Sequence, residues 1–177
     1  MQINKVEDSI KNLIDVFFDA GKISLELRNK GLIEHIKKDN TPVTNGDIEV
    51  NKIILSSLKK ITPDIPIVSE ETSENKNLNL ETFWLVDPID GTYDYINNRD
   101  EFTLNAGLII NKEAVAGIIY APAKDRMFYS YGKNLSYELK NGKEEIINNK
   151  KIDKNNIKAV SYSNNLKPEI IQIHKKF

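Results

Sequence analysis

The segment WLVDPIDGT, residues 84–92, places Asp87 and Asp90 on either side of a proline, directly after an apolar run. The apolar residues predict a β-strand that ends at Asp87 and leaves it at the edge of the sheet, and Pro88 favours an extended backbone there. Hard cations such as Mg²⁺ take carboxylate oxygens and share them with substrate phosphates. Gly91 permits close backbone approach, and the amides that follow could open a helix facing an anion. The segment indicates a metal and phosphate site; the alternative is an Asp-Pro corner followed by an Asp-Gly turn.

Two upstream segments add further acids. PIVSEE, residues 66–71, is a second short apolar strand that ends in paired glutamates, and DNTPVTNGD, residues 39–47, carries an aspartate at the mouth of a helix. A phosphate monoester dianion repels hydroxide, and two metal ions about 4 Å apart both neutralise charge and generate the nucleophile. We therefore interpret five clustered acids as metal ligands and their support: Asp47, Glu70, Glu71, Asp87 and Asp90. Taken alone, Asp47 would be a helix-dipole acid in a first turn.

The hydrophobic pattern predicts an α+β domain. Apolar residues recur at helical spacing from Ile3 to Ser24, and acids interrupt the basic face that a membrane-surface helix would need, so core packing is favoured. A second helix should open at Thr44 or Asn45 and end before Pro63. Short turns between the following apolar runs favour an antiparallel sheet with both helices packed on one face. The predicted strands span residues 67–70, 83–87, 102–111, 114–121, 127–131, 135–140 and 144–147.

Composition limits the functional classes. A chain of 177 residues with 29% charged and 40% hydrophobic residues is typical of one globular domain. Its 25 basic and 26 acidic residues provide no basic field for a nucleic acid polymer, and the absence of cysteine excludes disulfides. No apolar run approaches a membrane span or a signal peptide, so a cytoplasmic location is expected. His35 and the pair Lys37-Lys38 are interpreted as solvated surface residues.

Five motifs together resemble the Mg²⁺-dependent, lithium-sensitive phosphatases of the inositol monophosphatase superfamily. They are DNTPVTNGD at 39–47, IVSEE at 67–71, WLVDPIDGT at 84–92, EFTLN at 101–105 and GIIYAP at 117–122. The EFT-hydrophobic-N strand and the TPVT start are most similar to the CysQ-type 3'(2'),5'-bisphosphate nucleotidase branch. The fold implied by the resemblance is the N-terminal α+β domain of a layered α/β sandwich, with two helices packed on a mainly antiparallel sheet.

The resemblance also implies a role for each matching residue. The metal ligands would be Glu70, Asp87, the carbonyl of Ile89 and Asp90, and Glu71 would support these ligands. The complete family site holds two or three Mg²⁺ ions. Thr92 and Asp47 would polarise a metal-activated water that attacks phosphorus in line. The amides of Gly91 and Thr92 would hold the phosphate.

The implied reaction is removal of the 3'-phosphate from adenosine 3',5'-bisphosphate or 3'-phosphoadenylyl sulfate, a reaction of sulfur metabolism. The alternative within enzymes is hydrolysis of an inositol or sugar monophosphate. Tyr93 stands where similar proteins tend to show a basic residue, which bears on the choice of substrate. Peripheral association with the inner membrane is a further implication of the resemblance.

One family feature is missing from this sequence. Trp84 is the sole tryptophan and no Trp-Asp pair occurs, whereas family members carry such a motif in a second domain, where it supplies a further metal-binding aspartate. We therefore expect a phosphatase-like domain over residues 1–147, and over 148–177 a linker with the start of a truncated C-terminal domain. If these 177 residues are the whole molecule, the loss of one carboxylate weakens the second metal site, and activity should be low or absent. The alternative from another class is an inactive remnant, or a subunit that self-associates or binds a separate C-terminal half through an uncovered apolar flank.

Overall fold

The computed structural model describes residues 3–72, 79–132 and 135–147, together with 168 and 171–172. The chain divides into two compact units, Met1–Ile147 and Asn148–Phe177. All elements described below belong to the first unit. The predicted linker at 148–177 lies largely outside the described residues, so the proposed domain organisation stays a prediction.

Over its described residues, the first unit contains three α-helices, a 3-10 turn and nine strands. The helices are α1 (Ile3–Lys30), α2 (Asn45–Ile61) and α3 (Thr92–Ile96), and the 3-10 turn is Pro122–Lys124. The strands are β1 (Glu34–Ile36), β2 (Pro42–Thr44), β3 (Ile67–Ser69), β4 (Phe83–Asp90), β5 (Thr103–Ile110), β6 (Glu113–Ala121), β7 (Arg126–Tyr131), β8 (Ser136–Lys140) and β9 (Lys143–Ile146).

The two long helices follow from their apolar stripes and end signals. The buried hydrophobic residues of α1 are Val6, Ile10, Leu13, Phe17 and Ala20, at the predicted helical spacing. Thr44 caps α2: its hydroxyl accepts from the amides of Gly46 and Asp47, and its amide donates to the Asp47 carboxylate in a capping box. The helix ends at Ile61, as predicted. Neither helix, nor any other described one, combines the length and hydropathy needed to cross a membrane.

Seven strands form one sheet in the order β3-β4-β5-β6-β7-β8-β9. Every neighbouring pair is antiparallel except β3 and β4, which are parallel. Helix α1 packs against β6 and β7, and α2 packs against β4. The architecture confirms the predicted α+β fold with two helices on a mainly antiparallel sheet. The parallel pair was not predicted, and it places the end of β3 beside the second half of β4.

A two-stranded ribbon of β1 and β2 precedes α2, and the sequence pattern did not predict it. His35 pairs with Val43 in an antiparallel register, and every residue of β1 is exposed. Three-residue strands are too short to show an alternation that could be recognised in the sequence. Asn40, with φ 65, turns the chain between the two strands, and Asp39 accepts from the Thr41 amide and hydroxyl. The exposed position of His35 agrees with its interpretation as a surface histidine.

The face of the sheet opposite the helices carries exposed apolar side chains. Leu85 on β4 and Ile119 on β6 are 51% and 47% exposed. Between them, Gly107 pairs with Gly117, and a Cβ at Gly107 would meet no atom within 4 Å. The uncovered apolar flank was predicted without a location, and this face is a candidate for it; association through it stays a prediction.

Candidate metal and phosphate site

Strand β4 continues through Pro88 to Asp90 instead of turning at Asp87. Asp87 pairs with Asn105 and Asp90 pairs with Thr103, so three steps along β4 oppose two along β5. Proline has no N–H to donate to the ladder, which favours such an irregularity. The Asp-Pro corner that was the alternative interpretation is therefore absent. The bulge leaves Asp87 partly buried and Asp90 exposed at the end of the strand.

Gly91 links β4 to α3 in a conformation that only glycine adopts readily. Its φ is 88°, and a Cβ added there would lie 2.8 Å from the carbonyl oxygen of Glu101. The chain then enters α3 at Thr92, whose hydroxyl lies 3.1 Å from the carbonyl oxygen of Ile89 and 3.3 Å from Asp47 Oδ1. The structure thus brings Thr92 and Asp47 together across 45 residues of sequence.

Asp47 serves the helix and the site with different oxygens. Its Oδ2 accepts from the Thr44 amide at 2.8 Å and from the Thr44 hydroxyl at 2.6 Å, while its Oδ1 faces Thr92. The side chain is buried, and this burial raises its pKa despite the hydrogen bonds from Thr44, which lower it. The helix-terminus role and the proposed role in the site are therefore compatible in one residue.

Glu70 and Glu71 reach the site because β3 runs parallel to β4. The Glu70 amide donates to the Val86 carbonyl at 3.1 Å, which sets Glu70 beside Asp87. Lys37 Nζ lies 3.1 Å from Glu70 Oε1 and 2.7 Å from Glu71 Oε1. Burial lowers the pKa of Lys37, but the hydrogen bonds to Glu71 and Glu70 raise it overall.

The interpretation of Lys37 as a solvated surface lysine was wrong, because its side chain is only 22% exposed and pairs with both glutamates. The sequence signal lay in the position of Lys37 just ahead of the DNTPVTNGD motif, which leads into the helix that carries Asp47. Its neighbour Lys38 is exposed, as predicted.

Asp87 lies where the negative charges of the site meet. Burial, followed by the charges of Glu70, Asp90 and Asp47 and a direct carboxyl contact to Glu70, together raise the pKa of Asp87 to about 7. Its Oδ1 is buried and has no hydrogen-bond partner among the described residues. A buried carboxylate oxygen that lacks a donor and faces other carboxylates is suited to a bound cation.

The acids lie near one another, but their side chains are not spaced as they are around a bound metal ion. Over residues 3–72, 79–132 and 135–147, no three His, Cys, Asp or Glu side chains meet the spacing of a metal centre. The ion pairs from Lys37 account for part of this, because they direct Glu70 and Glu71 towards an ammonium group. The donor set still fits Mg²⁺ in its chemistry, since it consists of oxygens only. The individual ligand roles of Glu70, Asp87, Ile89 and Asp90 stay predictions.

Asn51 is a supporting residue that the sequence analysis did not identify. Its side-chain oxygen accepts from the Ser69 hydroxyl at 2.7 Å, and the Glu71 amide lies 3.4 Å from the same hydroxyl. The link ties α2 to the end of β3, where Glu70 begins. A polar residue four positions after Asp47, on the buried stripe of α2, was the signal that could have revealed it.

Comparison with known proteins shows what the chain is similar to. The chain is 39% identical over 133 residues to the 3'(2'),5'-bisphosphate nucleotidase CysQ of Buchnera aphidicola, covering 73% of this chain and 50% of that protein. It is 42% identical over 96 residues to CysQ of Salmonella typhimurium, covering 53% and 39%. The crystal structure of CysQ from Bacteroides thetaiotaomicron superposes with a TM-score of 0.67 at 22% identity, covering 97% of this chain and 68% of that one.

The matches cover only part of each curated relative. The chain spans about half or less of the length of the curated relatives named above. The structural likeness at 22% identity shows a shared fold. A sequence model of the inositol monophosphatase family matches residues 5–176, which is nearly the whole chain. The protein therefore belongs to the inositol monophosphatase family.

Proposed function

We propose that this chain carries the metal- and phosphate-binding half of a Mg²⁺-dependent phosphatase that removes the 3'-phosphate of adenosine 3',5'-bisphosphate. The observation that supports it most is the buried Oδ1 of Asp87, which has no partner among the described residues and lies near the carboxylates of Glu70, Asp90 and Asp47. Leaving this oxygen without a donor is costly unless a cation neutralises it. A phosphatase uses such a cation against the phosphate charge.

The acids and one backbone carbonyl would form the Mg²⁺ site. Glu70, Asp87, Asp90 and the Ile89 carbonyl would hold Mg²⁺, with Glu71 in support. Bound Mg²⁺ supplies positive charge to the phosphate oxygens and lowers the pKa of a water molecule.

Thr92 and Asp47 would handle the proton of that water. When the Thr92 hydroxyl donates to Asp47 Oδ1, its oxygen is left to accept a hydrogen bond from that water. As the water loses its proton to Thr92, the hydroxyl proton of Thr92 would pass to Asp47, so that Thr92 stays neutral and Asp47 ends protonated. The raised pKa of Asp47 suits a group that receives a proton during the reaction. The amides of Gly91 and Thr92 would hold the phosphate, and Gly91 allows that approach because it carries no Cβ.

The substrate assignment is supported by the named relatives. Both curated relatives described above are 3'(2'),5'-bisphosphate nucleotidases, at 39% and 42% identity over the aligned residues. The products would be adenosine 5'-monophosphate and inorganic phosphate. 3'-Phosphoadenylyl sulfate presents the same 3'-phosphate and is proposed as a second substrate.

The test is phosphate release from adenosine 3',5'-bisphosphate by the 177-residue chain over a range of Mg²⁺ concentrations. Asp90→Asn removes one proposed ligand charge, and Asp64→Asn makes the same change at an exposed acid in the loop after α2. We expect low but Mg²⁺-dependent release that lithium inhibits, that Asp90→Asn abolishes and that Asp64→Asn leaves intact.

Other outcomes separate the alternatives. Release from inositol 1-phosphate without release from the bisphosphate nucleotide would establish the polyol phosphatase alternative. Absence of release from either substrate, with Mg²⁺ still bound by the wild type and not by Asp90→Asn, would refute an active phosphatase. That result would instead support an inactive remnant, or a subunit that needs a separate C-terminal half.

A further inference from the structure

Tyr95 occupies the centre of the helix–helix junction behind the site. It is fully buried, and its hydroxyl donates to the Ser24 carbonyl in α1 at 2.6 Å. Its amide donates to the Gly91 carbonyl at 3.0 Å. Its ring lies 4.8 Å from that of Phe102, whose Cα would be 3.4 Å from a Cβ added at Gly91. Tyr95 therefore contacts both α1 and the turn that leads into Thr92.

The same ring fills the space beside the first turn of α2. A Cβ added to Gly46 would lie 2.7 Å from Tyr95 Cε1, closer than packed atoms approach. Gly46 directly precedes Asp47, whose Oδ1 faces Thr92. The Tyr95 ring thus separates the start of α2 from α3, and the absence of a side chain at Gly46 allows the two to approach.

Helix α3 depends on tertiary contacts for its position. It has five residues, and helices this short are unstable without tertiary contacts. Gly91, before α3, makes no side-chain cap. The position of Thr92 is therefore set by what anchors α3 to the rest of the domain. The hydrogen bond from Tyr95 to Ser24 and the close packing of Tyr95 on Gly46 are such anchors.

We propose that Tyr95 is a positioning residue that fixes the Thr92 hydroxyl against Asp47 by locking α3 between α1 and the start of α2. The proposal rests on the proposed function, because the Thr92–Asp47 contact matters for turnover only in the phosphatase. Tyr95 would act through Thr92 and would touch neither substrate nor metal. Burial, together with the charge of Asp47, raises the pKa of Tyr95, so its hydroxyl stays a donor throughout the working pH range.

Two variants disturb this lock in different ways. Tyr95→Phe keeps the ring and removes only the hydrogen bond to Ser24. Gly46→Ala keeps Tyr95 and places a methyl group against its ring, although alanine is the better helix former. Thr62→Val is the control, because it removes two buried hydrogen bonds at the other end of α2. Thr62 donates one to the Leu58 carbonyl at 3.1 Å and accepts the other from Trp84 Nε1 at 2.9 Å.

The measurements are kcat, KM and the Thr92 Oγ1–Asp47 Oδ1 distance in crystal structures of each variant of the full chain. We expect Gly46→Ala to lower kcat about tenfold with KM within about twofold, because proton handling is lost while binding is kept. Tyr95→Phe should lower kcat by a smaller factor. In both variants the distance should exceed its present 3.3 Å, and in Thr62→Val neither quantity should change.

Several results would overturn the proposal. One is a wild-type distance and kcat in both site variants, and another is an equal loss of kcat in Thr62→Val. A rise in KM with kcat unchanged would also refute it, since that pattern indicates a binding role. If the wild type releases no phosphate, the proposed function fails, and the crystallographic distances still decide whether Tyr95 sets the Thr92–Asp47 contact. If Gly46→Ala does not fold, the distance in Tyr95→Phe decides it.

Discussion

Replacing Asp87 by asparagine should stabilise the metal-free protein at neutral and alkaline pH. Ionised Asp87 is held among the carboxylates of Glu70, Asp90 and Asp47, and its Oδ1 has no donor among the described residues. Asparagine has nearly the same shape, carries no charge and mimics the protonated acid. The substitution therefore removes a repulsion that the folded state suffers and the unfolded chain does not.

The size and sign of the effect follow from the pKa of Asp87, which is raised from 3.8 to about 7 on folding. At ~1.4 kcal/mol for each tenfold change in proton affinity, this difference has a ceiling of about 4 kcal/mol. Asp87 is only partly buried, and solvent screening reduces the expected gain to about 2 kcal/mol. Because the folded pKa is the higher one, the folded state holds more protons between about pH 4 and pH 7. Wild-type stability relative to the variant should fall as pH rises through that window.

Urea unfolding followed by Trp84 fluorescence measures this directly, because Trp84 is the sole tryptophan and is fully buried. Both proteins are unfolded in chelator between about pH 5 and pH 8, beside Asp64→Asn as a charge-matched control. The stability difference between Asp87→Asn and wild type should grow across this range and level off towards its alkaline end. Added Mg²⁺ should then stabilise wild type and leave the variant unchanged.

Two results would refute the reasoning. A stability difference that does not vary across this pH range would mean that Asp87 has an ordinary pKa. A variant less stable than wild type at the alkaline end in chelator would mean that the carboxylate makes a favourable contact in the folded protein. Either result would remove the main support for a cation site at Asp87.

Three further substitutions test local features by urea unfolding. Gly91→Ala should destabilise by roughly 2 kcal/mol or more, because φ is 88° and the new Cβ would meet the Glu101 carbonyl; a loss below about 0.5 kcal/mol would contradict the strained turn. Thr44→Val should cost about 1–2 kcal/mol through loss of the α2 cap, and a neutral effect would argue against the capping box. Thr62→Val should cost about 1–2 kcal/mol by leaving Trp84 Nε1 unpaired, with the far-ultraviolet spectrum unchanged.

The helices and most strands were predictable because their signals are local. The apolar stripe from Val6 to Ala20 predicts α1 without knowledge of its partner, and Thr44 with Asp47 marks the start of α2 through hydrogen bonds within one turn. The alternation in β5, in which Leu104, Ala106 and Leu108 are buried, reflects one covered face. The β1–β2 ribbon escaped prediction because three residues cannot display such a period.

The candidate acids could be proposed from the sequence, whereas their arrangement could not, and their roles as ligands stay predictions. The acids were identifiable because carboxylates after short apolar strands are a chemical signal carried by residue type. Lys37 was misinterpreted because its environment depends on the ribbon that brings it to Glu70 and Glu71. The sequence analysis assigned no role to Tyr95, since its contacts with Ser24 and Gly46 come from two other helices.

The sequence by itself determined the two long helices and most strands of the main sheet, because periodicity and caps are properties of neighbouring residues. The resemblance of five motifs indicated the family, and residue type alone marked the candidate acids. Only the tertiary structure decided that β3 lies parallel to β4, that Thr92 meets Asp47 across 45 residues, and that Asp87 keeps a buried oxygen with no partner among the described residues. Those features depend on distances between segments far apart in the chain. Such distances are fixed by packing of the whole domain, and it is packing that turns dispersed carboxylates into one site with a shared electrostatic field.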